Sequence, residues 1–319
     1  FRAAVQRIAQ SVSSVPLLLY RGQELASEND PVWVWTERFA SDLTVPSALQ
    51  RIVSDLYLYG NSVWLVRRLG RKIDRLEHLP ASAVSYDQFR QVFTVMGLDG
   101  TDEFGLGEVV WFKFEDPTNP SGWGMSVAEA LAHHIKAILE CDRTVIEYLR
   151  NGAVPLGVIK LDARASREIL ERKQEEIKAR FGRGNRYNWL VVTGDTKIET
   201  PDLELKLGDL PAIRKLLREE ILSALNVPPA VLGFYEYANY ANAREQTKIF
   251  WRETIIPLLN QIAETLNLQL FGRHIGKDYW VTFDLSQVEY IKESLADVGD
   301  ALVRLTAGGI LTINEAREI

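Results

Sequence analysis

The chain is short of sulfur and imidazole: one cysteine, Cys141, two methionines and four scattered histidines in 319 residues. A single thiol cannot close an internal disulfide, nor build a zinc centre without three ligands of other kinds, and its presence fits a reducing compartment. Long apolar runs are also missing. The strongest, residues 15–20 and 153–159, fall well below the roughly 18 to 20 residues that a bilayer requires, so no membrane is expected among the partners. There is no Gly-x-Ser-x-Gly elbow, paired-cysteine motif or His-Glu-x-x-His helix. Gly122-Trp-Gly-Met-Ser126 lacks the Gly-Lys-Ser/Thr ending of a nucleotide P-loop and the third glycine of a dinucleotide fingerprint. It reads as a structural turn, with neither ATPase activity nor a cofactor expected. Positive charge is the last shortage. With 37 Lys and Arg against 43 Asp and Glu the net charge is −6, too acidic to wrap nucleic acid in a uniformly basic surface.

The remainder is an ordinary core-forming composition, 46% hydrophobic, 25% charged and 10% aromatic, at a length that suggests about two compact units. The chain opens on Phe1 without an initiator Met and stops inside a helix-like run at Ile319, so it is read as the ordered middle of a longer protein. To about Glu115 the pattern mixes elements. A helix carrying Val5, Ile8, Ala9 and Val12 feeds a strand over 15–20, and a second helix starts near Pro46 and ends at Gly60-Asn61. Strands come next at 63–67, 83–86, 91–96 and 109–114, with glycines between them for turns.

The stretch 116–125 is too rich in Asp, Pro, Asn, Ser, Thr and Gly to be anything but a loop. Beyond it Ser126 and Glu129 make a capping box for a helix expected to run unbroken to about Arg150 and stop at Asn151-Gly152, roughly 38 Å long. Its apolar stripe is Leu131, Ile135, Ile138, Val145 and Leu149, with Asp142 where another apolar residue is due. Next come a strand at 157–161, an amphipathic helix over about 164–181 and a strand at 189–193. Residues 164–186 hold eight Lys or Arg against four Glu, so positive charge is concentrated there. A helix over 211–226 is stopped by Pro228-Pro229. A loop rich in aromatics succeeds it, then a helix from Asn242 to about Phe271 that Pro257 should kink near Glu253. A strand at 280–283 and an acidic helix over 287–306 close the chain.

Two constellations stand out. Arg172, Lys173, Lys178, Arg180, Arg183 and Arg186 form a basic surface for an acidic partner, the bland alternative being a solvated helix face. Phe234, Tyr235, Tyr237 and Tyr240 lie among Glu236 and Asn239 with no Lys or Arg, which suits fleeting contact with a nucleic-acid backbone as well as core anchoring. Glu129 and His133, four apart on one helix, could share a metal but have no third ligand in view. They define a competing reading, a metal-assisted intracellular enzyme. A second is a helical adaptor or scaffold protein that forms no channel.

Several segments, in order, resemble the portal proteins of long-tailed bacteriophages: residues 5–20, Leu58-Tyr-Gly-Asn-Ser-Val-Trp-Leu, Val109-Val-Trp-Phe leading to Gly122-Trp-Gly-Met-Ser, Asn151-Gly-Ala-Val-Pro-Leu-Gly-Val, Asn226-Val-Pro-Pro-Ala-Val-Leu-Gly, Tyr240-Ala-Asn-Ala-Arg-Glu, Ile256-Pro-Leu and Leu311-Thr-Ile-Asn-Glu-Ala-Arg. The resemblance implies an α+β portal-like fold and a ring, commonly of twelve copies, around a DNA channel. It implies an α+β wing over 1–125, stem helices at 126–152 and 207–227, and a clip-like α/β insertion at 153–206. A tunnel loop would occupy 228–241, a long kinked helix 242–274 and a truncated approach to a crown 275–319. Phe234, Tyr235, Glu236, Tyr237, Asn239 and Tyr240 would then face DNA, and the basic clip residues would dock the large terminase motor or the head-tail adaptor. Capsid and scaffold proteins complete the implied partners, the virion vertex and host cytoplasm the implied locations, and no chemistry is expected of the chain.

Overall fold

The computed structural model describes the chain except residues 41, 71, 98–99, 120, 152–156, 162–167, 170, 173–174, 176–188, 194–209, 235–239, 289–301, 309–311 and 315–319. It divides into two compact units, Phe1–Leu131 with Leu222–Ile319, and Ala132–Ile221.

The first unit begins with α1 (Arg2–Ser13), β1 (Leu17–Arg21), β2 (Glu24–Leu25), α2 (Val34–Glu37), β3 (Arg38–Ala40), β4 (Leu43–Thr44) and α3 (Val45–Tyr59). Strands β5 (Asn61–Leu69), β6 (Lys72–Leu79), β7 (Val84–Asp87), β8 (Val92–Gly97), β9 (Gly100–Gly105) and β10 (Val109–Lys113) come after it, then a short α4 (Val127–Ala130). A central antiparallel sheet has the order β10-β5-β6, and a second sheet has the order β7-β8-β9. Alternation along β5 assigns its two faces. Val63 and Leu65, with Leu79, Val109 and Trp111, meet Val84 and Phe93 of the second sheet. On the other face Ser62 donates to Asp55 of α3 (2.8 Å), and His78 Nε2 lies 2.6 Å from the same carboxylate. Helix α1 packs along α3 through Val5, Ile8 and Val12. Helix α3, with α1 packed along it, therefore covers one face of the central sheet and the second sheet covers the other.

Helix α3 ends where the sequence predicts, with Gly60 left-handed at φ 72°. A side chain there would overlap the backbone of Met125, and one at Gly124 would overlap the Gly60 and Phe114 carbonyls, so these two glycines interlock. Fully buried Asn61 seals the junction. Its Oδ1 accepts from Gly124 N–H (2.9 Å) and Trp111 Nε1 (3.0 Å), and its Nδ2 donates to the Gly124 and Tyr59 carbonyls (2.8 and 3.0 Å). Two of the resemblance segments, around Gly60-Asn61 and Gly122-Trp-Gly, are thereby one structural feature.

In the second unit α5 (Ala132–Asn151) precedes the parallel pair β11 (Gly157–Leu161) and β12 (Trp189–Thr193), a pairing that requires a crossover connection between them. Helix α6 (Leu210–Ala224) runs into the first unit. The helix expected from Ser126 is thus divided: Ser126 Oγ caps the Glu129 amide (2.8 Å), but Leu131 leaves helical geometry at φ −94°, ψ 9° before α5 starts. The final helical run comprises α7 (Tyr240–Phe250), a π-helical turn Trp251–Ile255, α8 (Ile256–Thr265) and a π-helical stretch Leu266–Ile275, ahead of β13 (Tyr279–Phe283). Instead of a sharp kink, the wide turn falls at the expected place just before Pro257, which has no amide to return to the Glu253 carbonyl. Strand β13 pairs antiparallel with β1, and Trp280 stacks on Tyr20 at 4.5 Å. Within the expected acidic helix, 302–307 is helical and 289–301 lies outside the described residues.

That last helical run closes two sheet edges. Gln269 accepts from Trp111 N–H (2.7 Å) and donates to its carbonyl (3.2 Å), completing edge strand β10, while Gln261 donates to Lys113 O (2.9 Å). Asn267 does the same for edge strand β13, accepting from Val281 N–H (2.7 Å) and donating to Val281 O (2.8 Å). Each amide reproduces the donor–acceptor pair that a neighbouring strand would offer. Nearby, Arg68 approaches His274 Nδ1 at 2.6 Å. Burial, then Arg68 and Arg273, hold the His274 pKa below its usual value, so the ring is neutral and accepts this hydrogen bond.

Gln269→Ala and Asn267→Ala are each expected to lower the unfolding free energy by about 2 kcal/mol in urea titrations. Exposed Gln88→Ala should stay within about 0.5 kcal/mol, and equal midpoints for all three would refute the edge-closing role. His274 adds a pH dependence. Because its folded pKa lies below the unfolded value of about 6.5, its contribution is complete above that pH and is lost on acidification. Between about pH 7 and pH 5 the wild-type melting temperature should fall more steeply than that of His274→Asn; parallel curves would contradict this.

Candidate functional site

The aromatic loop starts from a helix end built by sequence. Asn226, left-handed at φ 52°, closes α6: its N–H bonds Ser223 O (2.9 Å) and the Val227 N–H bonds Leu222 O (2.9 Å), with Leu222 and Val227 both buried. This is the Schellman arrangement, so the helix stops two residues before the prolines expected to stop it. The two prolines instead shape a 3₁₀ turn, Pro229–Leu232, ended by left-handed Gly233. Phe234 N–H folds back to Pro229 O (3.1 Å), and the Phe234 side chain is 37% exposed.

The base of the loop is fixed to the helical run behind it at two levels. Thr254 Oγ1 donates to Asn226 O (2.7 Å), and Asn226 Nδ2 lies 3.5 Å from the Glu253 carbonyl, the group Pro257 deprives of its α-helical partner. One level away, Ala230 N–H reaches Gln246 Oε1 (3.4 Å). The far end of the loop becomes that same helix at Tyr240, so both ends are mounted on one element. Tyr235, Glu236, Tyr237 and Asn239 lie outside the described residues, as does the Tyr240 side chain. From Val227 to Ala241 the sequence contains no Lys or Arg. Among the described residues this base carries the partly exposed Phe234, and a segment without Lys or Arg offers a polyanion no ionic grip.

Among the basic residues, Arg172 is exposed on a partly described helical segment with 168–169, 171 and 175. Lys173, Lys178, Arg180, Arg183 and Arg186 lie outside the described residues. In the same unit α5 and α6 run antiparallel, because His134 meets Glu220 (3.5 Å) while Asp142 meets Arg214 (2.8 Å). Asp142, the polar interruption of the stripe, is therefore an inter-helix ion-pair residue. Both pairs are exposed, so their worth is about 0–1 kcal/mol and they align the helices more than they stabilise them. Leu139, Ile146, Ile213 and Leu216 remain exposed on these helices. Glu129 and His133 are both exposed, and among the described residues no three His, Cys, Asp or Glu side chains gather as a metal would require. Nor is any described helix long and apolar enough to cross a membrane.

Sequence reading missed the supports: Thr254, Gln246, Asn267 and Gln269 are ordinary polar helix residues. Asn226 alone carried a signal, since Asn one residue past a helix is a favoured left-handed terminator.

The family model for phage portal proteins matches residues 1–319. The chain belongs to the phage portal protein family. It is 28% identical over 179 residues to the portal protein of Escherichia phage T5, an alignment spanning 54% of this chain and 41% of that one. A protein of Rickettsia bellii with no assigned function is 25% identical over 329 aligned positions, covering 98% of this chain and 83% of its own length. Among solved structures, the neck of an empty gene transfer agent particle is similar with a TM-score of 0.68 at 20% identity, over 98% of this chain and 87% of that one. An HK97-family phage portal protein from Corynebacterium diphtheriae has a TM-score of 0.58 at 16% identity, over 90% and 94%. The mixed helix-and-sheet fold expected from the sequence agrees with these structures. As a member of this family the chain is a structural, capsid-associated protein and not an enzyme, which removes the metal-assisted enzyme as a reading.

Proposed function

We propose that copies of this chain close a ring, twelve-membered in the usual case, around a channel that passes double-stranded DNA into the capsid and later out to the tail. Family membership supports a portal, and similar gene transfer agent necks were computed with C6 and with C12 symmetry. The observation that carries the DNA channel is the cation-free aromatic loop held at both ends by one helix, which in turn completes the edges of two sheets. In this reading residues 1–125 form the wing, 126–152 and 207–227 the stem, 153–206 the clip and 228–241 the tunnel loop. Residues 242–274 back that loop and 275–319 approach the crown.

A translocating duplex must be guided without being held. Every phosphate neutralised by Lys or Arg releases counterions and adds salt-dependent affinity, so a channel wall rich in cations would stall its cargo. Phe234, Tyr235, Tyr237, Asn239 and Tyr240 supply uncharged contact, and Glu236 opposes adhesion. The clip carries the opposite chemistry. Arg172, Lys173, Lys178, Arg180, Arg183 and Arg186 dock the large terminase motor during packaging and the head-tail adaptor afterwards. Capsid and scaffold proteins meet the assembled ring, first in the host cytoplasm and finally at the virion vertex.

Tyr235→Ala with Tyr237→Ala should leave rings intact and cut packaged DNA by roughly tenfold in an in vitro packaging assay. Normal packaging by intact mutant rings would refute the tunnel-loop role. Arg180→Glu with Arg183→Glu should weaken motor binding to the ring by roughly tenfold while assembly is unchanged. If the ring is lost instead, these arginines belong to the subunit interface.

A further inference from the structure

A second concentration of positive charge lies outside residues 164–186. Residues 67–75 read Arg-Arg-Leu-Gly-Arg-Lys-Ile-Asp-Arg, five cations and one carboxylate in a chain whose net charge is −6. They span the junction of β5 with β6, and the arginines around it and the second sheet are of two kinds. Arg67 pairs with Glu77 (2.6 Å), Arg75 with Asp74 (2.7 Å), and Arg90 makes a two-pronged pair with Glu103 (2.8 and 2.7 Å). Arg68 and Arg273 are anchored on neutral acceptors instead, Arg68 Nη2 on His274 Nδ1 (2.6 Å) and Arg273 Nη1 on the Leu106 carbonyl (3.1 Å). Both are exposed, and neither meets a carboxylate among the described residues. A guanidinium has five N–H donors, so each keeps most of its fork for a further partner.

His274 adjoins both arginines and records their effect. Burial, then Arg68 and Arg273, keep the ring neutral, which is the response of an imidazole set in a positive field. With Nδ1 accepting from Arg68, the ring proton sits on Nε2, and that atom is buried with no hydrogen-bond partner among the described residues. The cluster is therefore rich in donors and positive charge and short of an acceptor.

We propose that Arg68, Arg273 and His274 bind a phosphate group of the DNA backbone, a nucleic-acid contact with chemistry opposite to that of the aromatic loop. Phosphate suits the cluster better than carboxylate. A planar carboxylate is met in full by one guanidinium, as Glu103 is by Arg90, whereas a tetrahedral phosphate takes donors from several directions and so serves two guanidiniums at once. Both arginines are already held by His274 and Leu106, so little side-chain freedom is lost on binding. Such a contact holds a stretch of duplex at rest, where the loop lets one move. That the phosphate belongs to DNA rests on the portal reading; the anion site itself does not.

The test uses the full chain and a fluorescein-labelled DNA duplex, read by anisotropy over a series of KCl concentrations, with the oligomeric state of every variant matched by mass photometry. Arg68→Gln with Arg273→Gln should weaken duplex binding roughly tenfold at low salt and lower the salt slope by about one, the mark of one phosphate no longer neutralised. Arg67→Gln with Arg75→Gln removes the same formal charge from the carboxylate-paired arginines and should change affinity less than about twofold. Lysine at both 68 and 273 keeps the charge and should recover most of the binding, which a merely structural role of the two arginines would not allow. Equal losses from the two glutamine pairs, or no loss from either, would overturn the proposal. Inorganic phosphate at matched ionic strength distinguishes the source: if it raises the melting temperature of the wild type and not of Arg68→Gln with Arg273→Gln, while duplex binding is the same in both, the ligand is the free ion and the DNA assignment is overturned. Rings whose duplex binding ignores Arg68 and Arg273 overturn this site and leave the portal reading standing. A binding loss confined to the Arg68 and Arg273 pair in a protein that forms no rings upholds the site and ends the portal reading.

Discussion

Two side-chain amides on one helix complete the open edges of two sheets in the larger unit. Asn267 and Gln269 are two residues apart, which sends them to nearly opposite sides of the helix, and each satisfies both backbone groups of an edge-strand residue. An edge strand otherwise offers its unpaired N–H and C=O groups to water or to another chain. Here the sheet formed by the ends of the sequence, β13 with β1, and the central sheet, through β10, are both completed by the same helix. The π-helical stretch 266–275 that carries them is where the regular α pattern yields to these contacts.

The consequence for function is mechanical continuity. The helix that pins both sheets begins at Tyr240, the far end of the aromatic loop, and grips the near end through Thr254 and Gln246. Displacing that loop therefore loads the helix, and the helix loads the sheets. Charge obeys the same division of labour. Positive charge is concentrated in residues 164–186, while Val227–Ala241 has no Lys or Arg, so in the proposed function the surface that lets DNA slide and the surface that holds a partner are separated along the chain. Asn61 plays the corresponding part at the other end of β10, where four hydrogen bonds, three of them buried, tie the end of α3 to the loop that starts α4.

Much of this was legible in the residues. Pro46 and Gly60 bound α3 because one fixes the first-turn φ and the other relaxes the left-handed end, and Ser126 announces α4 by its cap. The segment Lys72–Leu79 was invisible as a strand because its charged residues Lys72, Asp74, Arg75 and Glu77 hide the apolar alternation, and its pairing with β5 is what makes it one. The break at Leu131 was hidden in an Ala-Leu-Ala run of strong helix formers. In the candidate site the aromatic cluster could be read directly, since composition alone marks it. Its supports could not, because Thr254, Gln246 and Gln269 bond groups 16 to 158 residues away and leave no local pattern.

The most direct test of the portal assignment is native mass spectrometry with negative-stain electron microscopy on the purified protein. If the chain is a portal subunit, closed rings with a central hole appear, near 434 kDa for twelve copies of 36.2 kDa. A discrete small oligomer lacking any through-channel would contradict it and favour a helical adaptor.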